Sequence, residues 1–177
     1  MRLFSILLIA SAALISGCAA TISRDSQQSA AVAVNKAASK NLYLEVSAPT
    51  GTYSLDDWNA LLEEWSTSMG AMTTEKGINF KMVKTADLDS STNGVLIKMK
   101  VNDFRYVSQV KRYAVGIFSG NAYLDLDVEF IELPTMKRIA SRKYQTSSSA
   151  WQGVFSPMTP KQVQAVSKEI VSEVAGS

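Results

Sequence analysis

The sequence contains no histidine and a single cysteine. Without imidazole, Ser-His-Asp and Cys-His catalysis are excluded, and so are zinc sites built on histidine. One thiol allows neither an intrachain disulfide nor a paired-thiolate metal site. Charge of one sign is also lacking. The formal net charge is +2, and the first 17 residues hold Arg2 alone, leaving 17 basic against 16 acidic groups. That balance supplies no long-range field for nucleic acid, and no basic stripe appears, so no nucleic-acid partner is expected. No Gly-rich phosphate loop ending in Lys-Ser/Thr is present, and no Gly-x-Gly-x-x-Gly turn. Carboxylate, lysine and hydroxyl chemistry remain open; no cofactor is expected.

What is present is a chain of 177 residues, 46% hydrophobic and 19% charged, enough for one folded domain with appendages. No internal repeat and no second domain are apparent. The single cysteine, Cys18, closes the run "LLIASAALISGC". Met1-Arg2 gives a positive start, 3–15 an apolar stretch too short for an ordinary membrane span, and small residues follow. That is the anatomy of a secretory signal over 1–17. The ending Ile15-Ser16-Gly17-Cys18 resembles the lipobox of bacterial lipoproteins. The resemblance implies cleavage between Gly17 and Cys18, and diacylglycerol and further acylation (palmitate among the chains) on Cys18. Several acyl chains, each methylene contributing roughly 0.8 kcal/mol, hold a soluble body to a bilayer where one chain would not. The competing readings are a buried cysteine beside a conventional cleavage site and an uncleaved anchor. Ala19 stands where lipoproteins kept in the inner membrane often carry Asp, so the resemblance implies the periplasmic face of the outer membrane.

Residues 18–40 are rich in Ala, Ser and Gln and read as a flexible tether with a reach on the order of 25 Å. The globular part is expected over 41–177. "NLYLEVS" alternates as a strand, and "APTGT" breaks it. In "SLDDWNALLEEWSTSMGAMTTEKG", Trp58, Leu61, Leu62, Trp65, Met69 and Met72 form a helical stripe. Ser54 acts as a cap with Asp57 three residues on, and Gly77 as a stop. "INFKMVK" resumes alternation, implying a parallel neighbour for the first strand. "VLIKMKVNDFRYVS" turns Val95, Ile97, Met99 and Val101 to one face. "AYLDLDVEFIEL" does the same with Leu124, Leu126, Val128 and Phe130. "IASRKYQT" is a last strand after the turn "LPTMKR". The final helix carries Val163, Val166, Ile170 and Val174, with Thr159 as N-cap, Pro160 in first position and Gln162 closing a capping box. The expected fold is therefore α/β of the α+β kind: a single domain, β-α-β-β-β-β-α, with a mixed sheet of about five strands. Two amphipathic helices cover one face, and the long strands form an antiparallel meander wet on the other.

Three stretches hold candidate chemistry. Asp125, Asp127 and Glu129 alternate along one strand, either as a cation or acid/base site or as a solvated face opposite Lys98 and Lys100. A flat strand spreads such acids about 7 Å apart, which favours the solvated face. "YAVGIFSGNAY" sets Val115, Ile117 and Phe118 in a Gly-bearing connection, and "SSSAWQGVFSPM" sets Trp151 and Phe155 in another. These apolar residues either close the core or form a partner-contact patch.

The second half, 94–174, resembles a family of bacterial lipoproteins of unknown function defined by the domain DUF4410. The resemblance rests on a strand ending near "VNDF", the basic segment "VKRYAVGIFSGNAYLDLDVEF", the turn "ELPTMKR", a Gly-bearing aromatic loop and an apolar C-terminal helix. Pro134-Thr135 stands where many relatives have Thr-Gly. The family brings no known active site. The leading expectation is thus a lipid-anchored, non-enzymatic envelope domain that binds or assembles with another envelope protein. A binding module for a small molecule, glycan or peptidoglycan is the alternative, and an enzyme working through Asp125, Asp127, Glu129 or a lysine is third. No catalytic residue and no metal ligand is assigned.

Overall fold

The computed structural model describes residues 21–24, 32–107, 122–147 and 158–176. They form one α+β domain with six strands in a mixed sheet. The strands are β1 (Thr21–Arg24), β2 (Asn41–Ser47), β3 (Asn79–Met82), β4 (Gly94–Arg105), β5 (Tyr123–Leu133) and β6 (Lys137–Ser147). Helix α1 (Leu55–Glu75) joins β2 to β3, and α2 (Met158–Ala175) follows β6. The order across the sheet is β1-β6-β5-β4-β2-β3. β2 lies parallel to both β3 and β4, whereas β4, β5, β6 and β1 pair antiparallel. The expected strand-helix-strand unit and the meander are both present.

β1 is the departure from expectation. Within the segment read as a tether, Thr21–Arg24 pairs with Ser147 through Tyr144 of β6. Further on, Val32 and Ala38 are buried in the core, and a short 3-10 turn at Ala38–Lys40 leads into β2. The described chain is therefore drawn into the domain well before residue 41.

The helices form because their signals are local and strong. The Ser54 hydroxyl accepts the Asp57 N–H at 3.3 Å, and Asp56 and Asp57 sit in the first turn, where the helix dipole favours negative charge. Gly77, at φ +65°, ends α1 in a conformation that a side chain would resist. Trp58, Leu61, Trp65 and Met69 make the buried stripe, each large side chain contributing roughly 1.5–3 kcal/mol by leaving water. Thr73 extends that stripe because its hydroxyl donates to the Met69 carbonyl at 2.7 Å, so a polar residue is buried without an unpaired donor.

The core lies between the sheet and the two helices, which pack on each other. Leu42 and Leu44 meet Val95, Ile97, Met99 and Val101, then Leu124, Leu126, Val128 and Phe130, then Tyr144; Val163, Val166, Ile170 and Val174 close from α2. The opposite face is wet over only part of its length. Leu96, Ile131 and Leu133 form a second, smaller cluster there, packed by Tyr43, Val83 and Leu88. At that end Gly94 is obligatory for steric reasons, since an added Cβ would sit 2.7 Å from the Asn41 carbonyl oxygen.

α2 begins differently from expectation. The helix already includes Met158, so Thr159 is not its N-cap. Thr159 is buried, and its hydroxyl accepts the Val107 N–H at 2.9 Å. Gln162 does not close a capping box; its amide, also buried, donates to the Ala122 carbonyl at 3.0 Å. Both polar side chains stitch the first turn of α2 to the ends of β4 and β5. Further along, Arg142 of β6 reaches Glu173 of α2, with Nη2 to Oε2 at 2.9 Å and Nε to Oε1 at 3.2 Å.

Candidate functional site

Asp125, Asp127 and Glu129 stand on the solvent face of β5, in register with Asp103, Lys100 and Lys98 of β4. Their partners are neighbours on the same face. The Asn102 amide donates to Asp125 at 3.2 Å and to Asp127 at 2.8 Å, the Gln145 amide donates to Asp125 at 3.0 Å, and Lys143 lies 3.7 Å from Asp125. Arg138 bonds Glu129 at 2.8 Å. Burial raises the Asp125 pKa, but the Asn102 and Gln145 hydrogen bonds and the Lys143 charge outweigh it, and its carboxyl titrates below the usual range. Such a group is a fixed acceptor, not a proton donor near neutrality. A shallow groove of about 410 Å³ runs over this face between Glu45, Lys98, Lys100, Asp127 and Glu129. Glu45 there is held by Thr85, whose N–H donates at 2.9 Å and whose hydroxyl donates to the second carboxylate oxygen. Among the described residues, no group of three or more acids or cysteine could hold a metal ion.

A second concavity lies at the carboxyl ends of the parallel strands β2 and β4. Crevices outside such strand ends are where open sheets with parallel strands admit ligands. This cleft, about 460 Å³, is lined by the β2–α1 connection (49–54), Asp57 and residues 102–106. Pro49 and Gly51 break the strand and carry the chain over the sheet end, and the connection delivers Tyr53 against the core. Tyr53, Trp58 and Phe104 form a ring cluster with centroids 5.7, 5.8 and 6.2 Å apart, all tilted. Each such contact contributes roughly 0.5–1.5 kcal/mol beyond its burial, so the cleft has a stiff aromatic wall. Asn102, Asp103 and Arg105 bring the polar groups. The Tyr123 hydroxyl donates to Asp103 at 3.0 Å, and Tyr106 donates to Glu64 at 3.4 Å. Burial, then the Glu64 charge, push the Tyr106 hydroxyl up to about 12, so it remains a donor across the physiological range. Burial also raises the Glu64 carboxyl, with the Tyr106 bond pulling the other way and Glu63 adding to the rise.

Gly17, Cys18, Val115, Ile117, Phe118, Trp151 and Phe155 lie outside the described residues. The residues that flank the two loop segments, Val107 and Ala122 in one case and Ser147 and Met158 in the other, sit at the cleft end of the sheet. The cleft itself escaped sequence reasoning. Its available signal was a Pro- and Gly-bearing break directly after a strand with a parallel neighbour.

Two structures of the PelC dodecamer from Paraburkholderia phytofirmans share this fold, with TM-scores of 0.54 and 0.53. Identity is 11% and 12%, and the matches cover 87% and 88% of this chain and 97% and 96% of PelC. A Xanthomonas campestris protein of family DUF330 follows at a TM-score of 0.47, 14% identity, 84% of this chain and 94% of its own. A lipoprotein from Neisseria meningitidis gives 0.42 at 13% identity, over 73% of this chain and 97% of its own. At such identities the likeness is one of fold. No protein-family model matches the sequence, DUF4410 included, and no curated protein matches it. Among the described residues no helix is long and apolar enough to cross a membrane.

Proposed function

We propose that this chain is a lipoprotein of the bacterial envelope, anchored through acyl groups on Cys18 at the periplasmic face of the outer membrane. Its body acts without turnover, as an accessory or assembly component that binds another envelope protein. The observation that carries the reading is the conjunction of Ile15-Ser16-Gly17-Cys18, at the end of a signal-like leader, with a compact domain of the PelC fold. PelC is a dodecamer, which makes association into an assembly a natural use of this architecture. The carboxylates of β5 fit a non-catalytic role, since amides and basic groups occupy them.

Mass spectrometry of the chain isolated from membranes is the test. A mature product beginning at Cys18 and carrying diacylglycerol is expected, and Cys18→Ala should leave the protein in the soluble periplasmic fraction. A free thiol at Cys18, or an intact leader, refutes the anchor. Crosslinking from Arg105 at the cleft that recovers no envelope protein above background would refute the partner.

One observation favours a second reading, a module for a glycan, peptidoglycan fragment or small molecule. The cleft pairs an aromatic wall with Asn102, Asp103 and Arg105, a combination that suits a polyhydroxylated ligand. Titration with soluble peptidoglycan fragments should then change the fluorescence of Trp58, whose ring is 5.8 Å from Phe104. No change at millimolar fragment would remove this reading.

A further inference from the structure

The position of β1 brings the residues just after Cys18 to one end of the sheet. Thr21 pairs with Ser147, Ser147 with Tyr123, and Tyr123 with Arg105, so all four share one end of the sheet. Cys18 precedes Thr21 by three residues, which span at most about 11 Å even when fully extended. The opposite end, where Gly94 pairs with Leu133 before the β5–β6 turn, is removed by the length of β5. From Tyr123 to Leu133 that length is roughly 34 Å at the usual rise per residue.

The end nearest Cys18 is also the end that carries the cleft, since Arg105 and Tyr106 line it. Leu55 follows the cleft residue Ser54 at the start of α1 and is 69% exposed. Only one other large hydrophobic among the described residues is comparably bare: Met136, 47% exposed, at the far turn. Among the described residues, the charged side chains that line or flank the cleft are Asp56, Asp57, Asp103 and Arg105, with Glu64 bonded to Tyr106, an acidic excess that an anionic lipid surface would repel. The fitting partner is a bilayer surface of low net charge, approached by Leu55 and held by the acyl groups on Cys18.

We propose that the cleft end of the sheet faces the leaflet in which Cys18 is held, with Leu55 toward the lipid surface and the Met136 turn pointing away. This rests on the lipidation of Cys18 proposed above. It follows that whatever the cleft binds is met at the membrane surface, not in the open periplasm.

The test uses the full lipidated chain in phosphatidylcholine/phosphatidylethanolamine vesicles that carry an acceptor dye on a fraction of headgroups. Leu55→Cys and Met136→Cys are each labelled with a donor dye; acylated Cys18 offers no free thiol. Thr52→Cys, also exposed and on the cleft connection, repeats the near-end measurement independently of Leu55. Energy transfer several-fold more efficient from positions 52 and 55 than from 136 is expected, little changed by salt. Equal transfer, or stronger transfer from 136, in protein shown by mass to be acylated overturns the orientation alone. A bare Cys18 in the same preparation overturns the anchor and the orientation together.

Discussion

The Arg142–Glu173 pair offers the sharpest test of how the last helix is held. Both side chains are withdrawn from water, 5% and 13% exposed, and they meet through two contacts of 2.9 and 3.2 Å. Replacing Arg142 with Met keeps the apolar stem and removes the charge. The Glu173 carboxylate then loses the Arg142 charge in a seam largely withdrawn from water, a loss of about 3–5 kcal/mol. In a domain of this size each kcal/mol moves the midpoint by about 2–4 °C, so the Tm should fall by roughly 6–20 °C. The double variant Arg142→Met/Glu173→Leu removes both charges and refills the space, and it should regain most of that loss. Thermal unfolding followed by far-UV circular dichroism, with urea titration for the free energies, gives all the numbers needed for a double-mutant cycle. A single variant within about 1 kcal/mol of the parent, or a double variant no better than the single, would show that α2 is not held by a desolvated charge pair.

Other perturbations test the remaining joints. Thr159→Val preserves shape but strands the Val107 N–H, so it should cost about 1–3 kcal/mol and accelerate hydrogen exchange at that amide; unchanged exchange would refute the stitch. Gly94→Ala forces a Cβ against the Asn41 carbonyl, and a loss of about 1–3 kcal/mol is expected by urea titration, whereas a neutral result would show that the β2–β4 junction yields freely. Burial raises the Glu45 pKa, but the Thr85 hydrogen bonds and Lys98 outweigh it, so the folded value lies below the ordinary 4.5. The stabilisation this brings is present above that ordinary value and lost as pH falls through the lower, folded one. Thr85→Ala should therefore cost about 1 kcal/mol at pH 7 and progressively less below about pH 4; a pH-independent cost would assign the effect to packing.

Most of the fold was legible because its elements carry clean periods. Leu124 through Phe130 alternate on the core face as their spacing requires, and Trp58 to Met69 recur at the helical interval. What was hidden depends on partners remote in sequence. "TISR" has almost no pattern of its own, and its extended state comes from the edge of β6, more than a hundred residues away. Thr159 and Gln162 matched a local capping pattern, yet the Val107 N–H and the Ala122 carbonyl compete for them and win. The outer cluster of Leu96, Ile131 and Leu133 was signalled by the unbroken runs "VLI" and "FI", which alternate too little for a strand wet on one side. As for sites, the solvated reading of the β5 acids followed from the flat pleat of a strand. The cleft did not, because it needs the β2–α1 connection and the far end of β4 in one place.

β6 is longer than the strand that covers it. β1 shields Tyr144 through Ser147, while the stretch from Lys137 to Lys143 presents its outer backbone with no strand paired to it among the described residues. A strand margin without a paired neighbour among the described residues invites the margin of another molecule. Lys137, Arg138 and Lys143 are strung along this stretch, with Arg138 bonded to Glu129 and Lys143 close to Asp125 on the adjacent strand. Charged side chains of this kind make a strand margin a poor template for a second copy.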